Sequence, residues 1–367
     1  METVGEISEK TSLDIDTDNS NRYCIRLQTK TGKEAYYFST PIYNESSRKL
    51  IRMKFTGSNG CFCSVGSNTT VCVHSTHIEL VSREKKVLLR TIKPFSFQLI
   101  EGALSSDSVC IYPTFNGVQM FGNIDNLKLE VSSNFDYQDL RTSYNCVCMM
   151  ESKFKPTLVF SALYSKVQNN IQPLGVQFVK KSSKAGTVSV VSENPMCYHG
   201  AIEINFYESK LFQDTPVSAK RPDENNAFGP IAFIGNTATF GTQWFYCRID
   251  LDKMPELSQN MIGQVKVFFP KIGMGNPPLE TYGLPNRFCS FGSKWNNKVP
   301  PLNIPEKAYV YKKYLCVDLT KLYVQRGQLS TSPGFVLTPQ KNVCGNQIIA
   351  TGDCYSAPPI LYVNYKK

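Results

Sequence analysis

The chain of 367 residues carries 40 Lys and Arg against 30 Asp and Glu, a formal net charge of +10, with 41% hydrophobic and 19% charged residues. That balance excludes a disordered chain, and no stretch approaches the ~18 to 20 apolar residues of a membrane-spanning helix, so no membrane partner is expected. The length suits two domains, each able to bury a core. With 22 Phe, 19 Tyr, 23 Gly and 21 Pro beside abundant Val, Ile and Thr, the composition fits pleated half-buried surfaces joined by tight turns. The fold class is all-β: two β-sandwiches preceded by a short arm.

Residues 1 to 20 are polar and have no apolar period, which predicts a mobile or strand-donating N-terminal arm. The segment lacks the basic start and apolar run of a secretory signal, so synthesis in the cytoplasm without export is expected. Residues 21 to 195 form the N-terminal sandwich region. Its strand signals include Lys49 to Phe55, Thr70 to His74 and Leu127 to Val131, with Gly57-Ser-Asn-Gly60 as a turn. Further apolar runs at Thr157 to Ser161, Leu174 to Val179 and Thr187 to Val191 complete this sandwich, a small middle domain over 135 to 195 being the alternative. Pro and Asn in Ser192-Glu-Asn-Pro195 punctuate the chain and set the boundary there. The C-terminal sandwich takes residues 196 to 367.

Basic residues scatter along strands, and clusters such as Arg83-Glu84-Lys85-Lys86 and Lys312-Lys313 fit solvated loops, which argues against nucleic acid as a partner. Only three histidines exist, and no P-loop, G-x-S-x-G elbow or paired catalytic carboxylate motif is present, so no enzyme is expected. No cofactor is expected either. The best metal-ligand grouping is Cys61, Cys63, Cys72, His74 and His77, but the spacing matches no zinc-ribbon rule and buried or cross-linked thiols fit it better.

The C-terminal part carries a set of fragments in order. Asn225-Asn-Ala-Phe-Gly229 leads into Pro230 to Asn236, followed by Trp244 to Leu251, Gly263 to Phe269 and Ser293-Lys-Trp-Asn-Asn297. Tyr314 to Thr320, Gly334 to Thr338 and Ser356 to Tyr365 close the series. This order resembles the DNRLRE-type domain of bacterial surface proteins, a jelly-roll sandwich similar to a carbohydrate-binding family. The resemblance implies a β-sandwich with a surface role. Physically, Trp244 and Trp295 are candidate core anchors, and Asp318 in Val317-Asp-Leu-Thr320 can bond local backbone ahead of a short helical turn at Lys321 to Arg326. Pro358-Pro359 ahead of the last strand reads as protection of a sheet edge.

Thirteen cysteines accompany the missing export signal. An odd count leaves at least one thiol unpaired within the chain, and C-x-C spacing puts both sulfurs on one strand face. Cys24, Cys61, Cys63, Cys146 and Cys148 are the candidates for intermolecular disulfides. Together these features predict a structural, self-assembling surface protein whose partners are copies of itself or other spore-surface proteins. The setting that reconciles them is a bacterial spore coat, exosporium or appendage, oxidised after mother-cell lysis. The alternative is a carbohydrate-binding or adhesive module presenting aromatic faces to a glycan.

Overall fold

The computed structural model describes residues 15–29, 32–58, 60–66, 68–91, 94–153, 155–167, 170–250, 262–303, 305–325, 333–341 and 343–366. The fold is all-β, with every strand pair antiparallel, and the chain divides into two compact units. One, the inserted unit, comprises Met53–Ser209 with Phe228–Pro230; the other, the terminal unit, comprises the described residues up to Arg52, Lys210–Ala227 and those from Ile231 onward.

The inserted unit is built on two eight-stranded sheets, with a two-stranded hairpin of Tyr164–Val167 and Asn170–Pro173 beside them. The first runs in space Gln98–Ile100, Ala103–Ser105, Val109–Pro113, Gly117–Asn123, His199–Phe206, Lys155–Ala162, Cys146–Ser152, Asp139–Thr142. The second runs Gly175–Lys180, Ala185–Val191, Leu129–Ser133, Lys85–Thr91, His77–Ser82, Thr69–His74, Cys61–Val65, Thr56–Ser58. Period-2 alternation sends Val71 and Val73, Ile78 and Leu80, Val87 and Leu89 inward from the second sheet. They share one core with Ile111, Met120, Leu158, Phe160, Ile202 and Ile204 of the first. Residues 135 to 195 contribute strands to both sheets and so belong to this sandwich.

The terminal unit is built on one long sheet that runs Cys24–Thr29, Gly32–Phe38, Ile360–Tyr365, Ile262–Pro270, Tyr314–Asp318, Pro305–Tyr311, Leu279–Gly283, Phe335–Pro339, Gly241–Ile249, Ile231–Thr237, Gly345–Ala350, with Phe212–Ser218 also on Gly241–Ile249 and a separate short pair of Tyr43–Asn44 and Lys49–Leu50. Its two halves share a core: Val265, Val267, Val317 and Val363 from one half pack with Phe245, Ile234, Leu337 and Ile349 from the other. The corner is made by Pro305–Tyr311, which pairs with Leu279–Gly283 at Pro305 and Glu306 and with Tyr314–Asp318 from Lys307 onward. Strands that change sheets in this way turn the corners of a sandwich.

Three sequence expectations are corrected. The expected boundary at Ser192–Pro195 lies inside the inserted unit, because the next strand, His199–Phe206, sits between Gly117–Asn123 and Lys155–Ala162; the change of unit comes at Ser209/Lys210. Residues 21 to 52 do not join the N-terminal sandwich, since Gly32–Phe38 pairs with the final strand Ile360–Tyr365. That final strand is central, hydrogen-bonded to Gly32–Phe38 on one side and Ile262–Pro270 on the other. Pro358 and Pro359 precede it and remove no ladder donor, so they guard no edge. The expected helical turn appears as a single wide turn, Lys321–Gln325, and Arg326 lies outside the described residues.

Gly117 marks the tightest strand contact in the inserted unit. It pairs with Asn205, and a Cβ there would collide with the Ile204 carbonyl oxygen and reach 2.8 Å from Asn205 Cα. Both obstacles are backbone of a central strand and cannot step aside. Gly117→Ala is therefore expected to lower stability by about 2 to 3 kcal/mol, read as a shifted denaturant midpoint with an unchanged slope.

Candidate functional site

The cysteine and histidine grouping expected from the sequence does come together, on the half-exposed side of three adjacent strands in the inserted unit. Register places Cys61 opposite His74, Cys63 opposite Cys72 and Cys72 opposite Glu79. Cys63 and Cys72 form a cross-strand disulfide with Cα atoms 4.2 Å apart. His74 and His77 stack with ring centroids 4.5 Å apart, and His77 Nε2 lies 3.3 Å from Glu79 Oε1. Donor atoms of His74, His77 and Glu79 all lie within 4.8 Å of one another. Lys86 Nζ sits 3.0 Å from the same Glu79 oxygen, so an ammonium already supplies positive charge where a cation would bind. Its hydrogen bond holds the Glu79 carboxyl below the usual range against a smaller opposing effect of burial, with His77 adding to the shift. The disulfide removes Cys63 and Cys72 from the expected ligand set.

The other cysteines expected to cross-link molecules are corrected by burial. Cys24, Cys146 and Cys148 are buried, and Cys63 is bonded within the chain, leaving Cys61 half-buried. Disulfide exchange needs an accessible thiolate, and at Cys24 burial instead pushes the thiol up. Cys146 and Cys148 share a face as the C-x-C rule requires, but their strand is buried on both sides, so its outer face gives no access. The exposed thiols are Cys289 and Cys344, which no spacing argument singled out.

Trp244 and Trp295 do meet, edge to face with centroids 5.4 Å apart, but both are half-buried at the margin of a small cluster around Val217, Tyr246, Leu284, Phe288 and Val336. Neither is an interior core residue, because Trp295 opens a one-turn 3-10 segment in a surface loop. Lys298 Nζ stands 4.0 Å from the Trp295 ring centroid and 5.3 Å from that of Trp244. Asn225 tethers this loop by donating to the Ser290 and Ser293 carbonyls at 2.6 and 2.8 Å. Asp318 is half-buried and accepts from the Thr320 backbone N–H at 3.0 Å, the local bond expected of it.

Two further features of the terminal unit gave no sequence signal. On one face, Tyr36 and Tyr362 stand 5.3 Å apart, both hydroxyls donate to the Glu34 carboxylate at 3.0 and 3.2 Å, and Tyr309 and Tyr311 are exposed on Pro305–Tyr311, three places along the same sheet from Ile360–Tyr365. The second is buried. Lys210, just ahead of Phe212–Ser218, is 4% exposed, and its Nζ lies 3.1 Å from Asp353 Oδ1 and 3.6 Å from the Tyr355 ring centroid. Asp214, 1% exposed, points to the same side of its strand as core residue Phe212 and accepts the Gly352 N–H at 2.7 Å through Oδ2. Gly352 is needed for this approach, since a Cβ there would come 2.7 Å from the same oxygen. Burial, and then the neighbouring Asp353 carboxylate, push Asp214 well above the usual carboxyl range. Burial also raises Asp353, against the opposing pull of Lys210.

No protein-family model matches the chain, and no curated protein matches it in sequence. Among solved structures, the N-terminal domain of a Streptococcus gordonii adhesin aligns with 94% of this chain and 77% of its own at 8% identity, with a TM-score of 0.19. A GH31 alpha-xylosidase from Xanthomonas citri aligns at 8% identity over 96% of this chain, which spans only 38% of that enzyme, with a TM-score of 0.13. Scores this low carry no argument about fold or function.

Two measurements test the geometry of these sites. Thiol titration of the denatured, unreduced chain is expected to count eleven thiols, with Cys63 and Cys72 recovered as one disulfide-linked pair. Opening that bridge by Cys72→Ser lowers stability by about 2 to 3 kcal/mol, the value for a short closed loop. Trp295→Ala is expected to cost about 2 kcal/mol, less than a fully buried Trp, through loss of the ring pair and of the Lys298 contact.

Proposed function

We propose that the chain is a structural, self-assembling protein that associates with copies of itself through open sheet edges. The observation that carries this reading is the edge strand Gln98–Ile100 of the inserted unit, exposed along its whole length, with Leu99 at 43% and Ile100 at 52%. Among the described residues it pairs on one side only, with Ala103–Ser105. Soluble proteins blunt such edges with Lys, Pro or a covering loop, and apolar side chains on an unpaired edge favour pairing with another chain. Phe121 and Tyr112, exposed on nearby strands of the same sheet, extend the apolar surface behind the edge. Cys289 and Cys344, the exposed free thiols, are the ones available to oxidise once an assembly has formed.

The expected donor arm contributes differently. Residues 1 to 14 lie outside the described residues, while Ile15 bridges Leu27 and the Asp16 N–H donates to the Arg26 carbonyl at 2.9 Å. The start of the described chain thus lies along its own edge strand, Cys24–Thr29, and would reach a neighbour only by exchange of that element. The resemblance of the C-terminal fragments to DNRLRE-type domains, together with thirteen cysteines, supports a bacterial surface setting, of which the spore coat is the version proposed.

A second reading is supported by the tyrosine face. Tyr309 and Tyr311 beside the Tyr36, Tyr362 and Glu34 group offer ring platforms with a carboxylate acceptor, the elements of a glycan-binding surface. Sedimentation and glycan binding separate the two. For assembly, the full chain is expected to sediment as concentration-dependent oligomers, and the double variant Leu99→Lys, Ile100→Lys as a monomer with an unchanged far-UV spectrum. A wild-type chain that stays monomeric at all concentrations, yet binds glycans in a way abolished by Tyr309→Ala with Tyr311→Ala, would replace the first reading with the second.

A further inference from the structure

In the terminal unit, we propose that Lys210 and Asp353 condense to an intramolecular isopeptide bond, with Asp214 as the proton-holding residue beside them. The inference rests on the geometry of this cluster and is independent of the assembly reading. Lys210 Nζ and Asp353 Oδ1 are held 3.1 Å apart, so the nitrogen lies against the carboxyl group it would attack, in a site where Lys210 is 4% and Asp353 12% exposed. A second carboxyl, on Asp214, is buried with them, and its Oδ1 has no hydrogen-bond partner among the described residues. Tyr355 covers the Lys210 nitrogen from one side.

Ordinary ion pairs are built otherwise. A lysine that serves only as a surface counter-ion keeps its ammonium in water, whereas burial of an ammonium with two carboxyl groups carries a desolvation cost of several kcal/mol per ion. In a dry pocket the pair lowers that cost by becoming neutral, as the ammonium passes one proton to the carboxylate and leaves a free amine against a carboxylic acid. That neutral pair is the reactive one. The elevated affinity of Asp214 for protons, caused by burial and by Asp353, fits a group that remains protonated while the other two react.

The step balances without a co-reactant. The lone pair of Lys210 Nζ attacks Cγ of Asp353 and forms the C–N bond, while a Cγ–O bond of Asp353 breaks. The departing oxygen leaves as water with two protons, one passed earlier from the ammonium to the Asp353 carboxylate and one given by protonated Asp214, which then takes a proton back from the nitrogen and ends as it began. Nothing is oxidised or reduced. Exclusion of bulk water from the pocket favours condensation over hydrolysis. The product is a neutral amide joining the segment ahead of Phe212–Ser218 to the loop between Gly345–Ala350 and the final strand Ile360–Tyr365.

The test is the mass of the folded full-length chain after complete reduction. The expected value is about 18 Da, one water, below the sequence mass, with trypsin unable to cleave after Lys210 and one branched peptide containing both Lys210 and Asp353. Lys210→Arg and Asp353→Ala are expected at their full sequence masses. Asp353→Asn supplies a second signature, because condensation then expels ammonia and the deficit becomes about 17 Da. Asp214→Asn is expected to keep the fold and to slow bond formation after refolding about a hundredfold, a rate that a merely structural residue would not control. A folded wild-type chain at full sequence mass with Lys210 open to trypsin overturns the proposal, as does a water loss that maps to any other pair of residues.

Discussion

A strand inside a sheet of this kind must bury a face and find partners for two edges, and the strand order within each unit follows from meeting both demands for all but the end strands. The faces are the easier part. In the inserted unit, inward Val, Ile and Leu side chains of one eight-stranded sheet meet Met, Phe and Ile of the other in a continuous core. In the terminal unit a single long sheet reaches the same end by turning a corner at Pro305–Tyr311 and folding onto its own inner face. Apolar burial at about 25 cal/mol per Å² rewards any such closure, but the ladder of backbone bonds decides which strands lie side by side.

Edges account for the features that are not core. Cys24–Thr29 ends one side of the long sheet, and the preceding residues Ile15 and Asp16 lie along it. Asp139–Thr142 closes one end of the first sheet with Asp139 and Thr142 exposed, a polar border of the sort that resists pairing. Gln98–Ile100, at the other end, carries apolar residues instead. The contrast between the two ends of one sheet is what gives the assembly reading a definite surface.

Strands were legible from the sequence because alternation is local; partners were not, because pairing is not. The runs at Thr70–His74, Thr157–Ser161 and Thr187–Val191 each fall within an observed strand. Nothing local states that Tyr36 will lie opposite Tyr362, yet that register carries residues 21 to 52 into the terminal unit. Period-2 logic also placed Cys146 and Cys148 on a common face but supposed that face open, and a strand buried on both sides defeats the second step. Where pairing was strictly between neighbours in sequence, as for Cys63 and Cys72 across one hairpin, the side chains singled out do meet. The surface tyrosines and the Trp295 loop depend on long-range packing and left no periodic trace.

The least legible feature is the one with the highest energetic stakes. In the sequence, Lys210 in Glu-Ser-Lys-Leu and Asp353 in Thr-Gly-Asp-Cys are indistinguishable from solvated loop charges. Folding removes them from water together with Asp214, and a buried ion pair seldom repays its desolvation unless every remaining polar atom is satisfied. Asp214 Oδ1 is not satisfied within the described residues. A pocket that remained a salt bridge would therefore burden the fold it sits in, and Val, Leu or Met at those positions would pack as well without that burden. An amide removes both formal charges and the burden with them, while converting a contact between distant segments into a covalent one. For a sheet protein proposed to self-assemble, that exchange turns a local liability into a clamp on the strand Phe212–Ser218, whose partner Gly241–Ile249 lies at the centre of the second half of the long sheet.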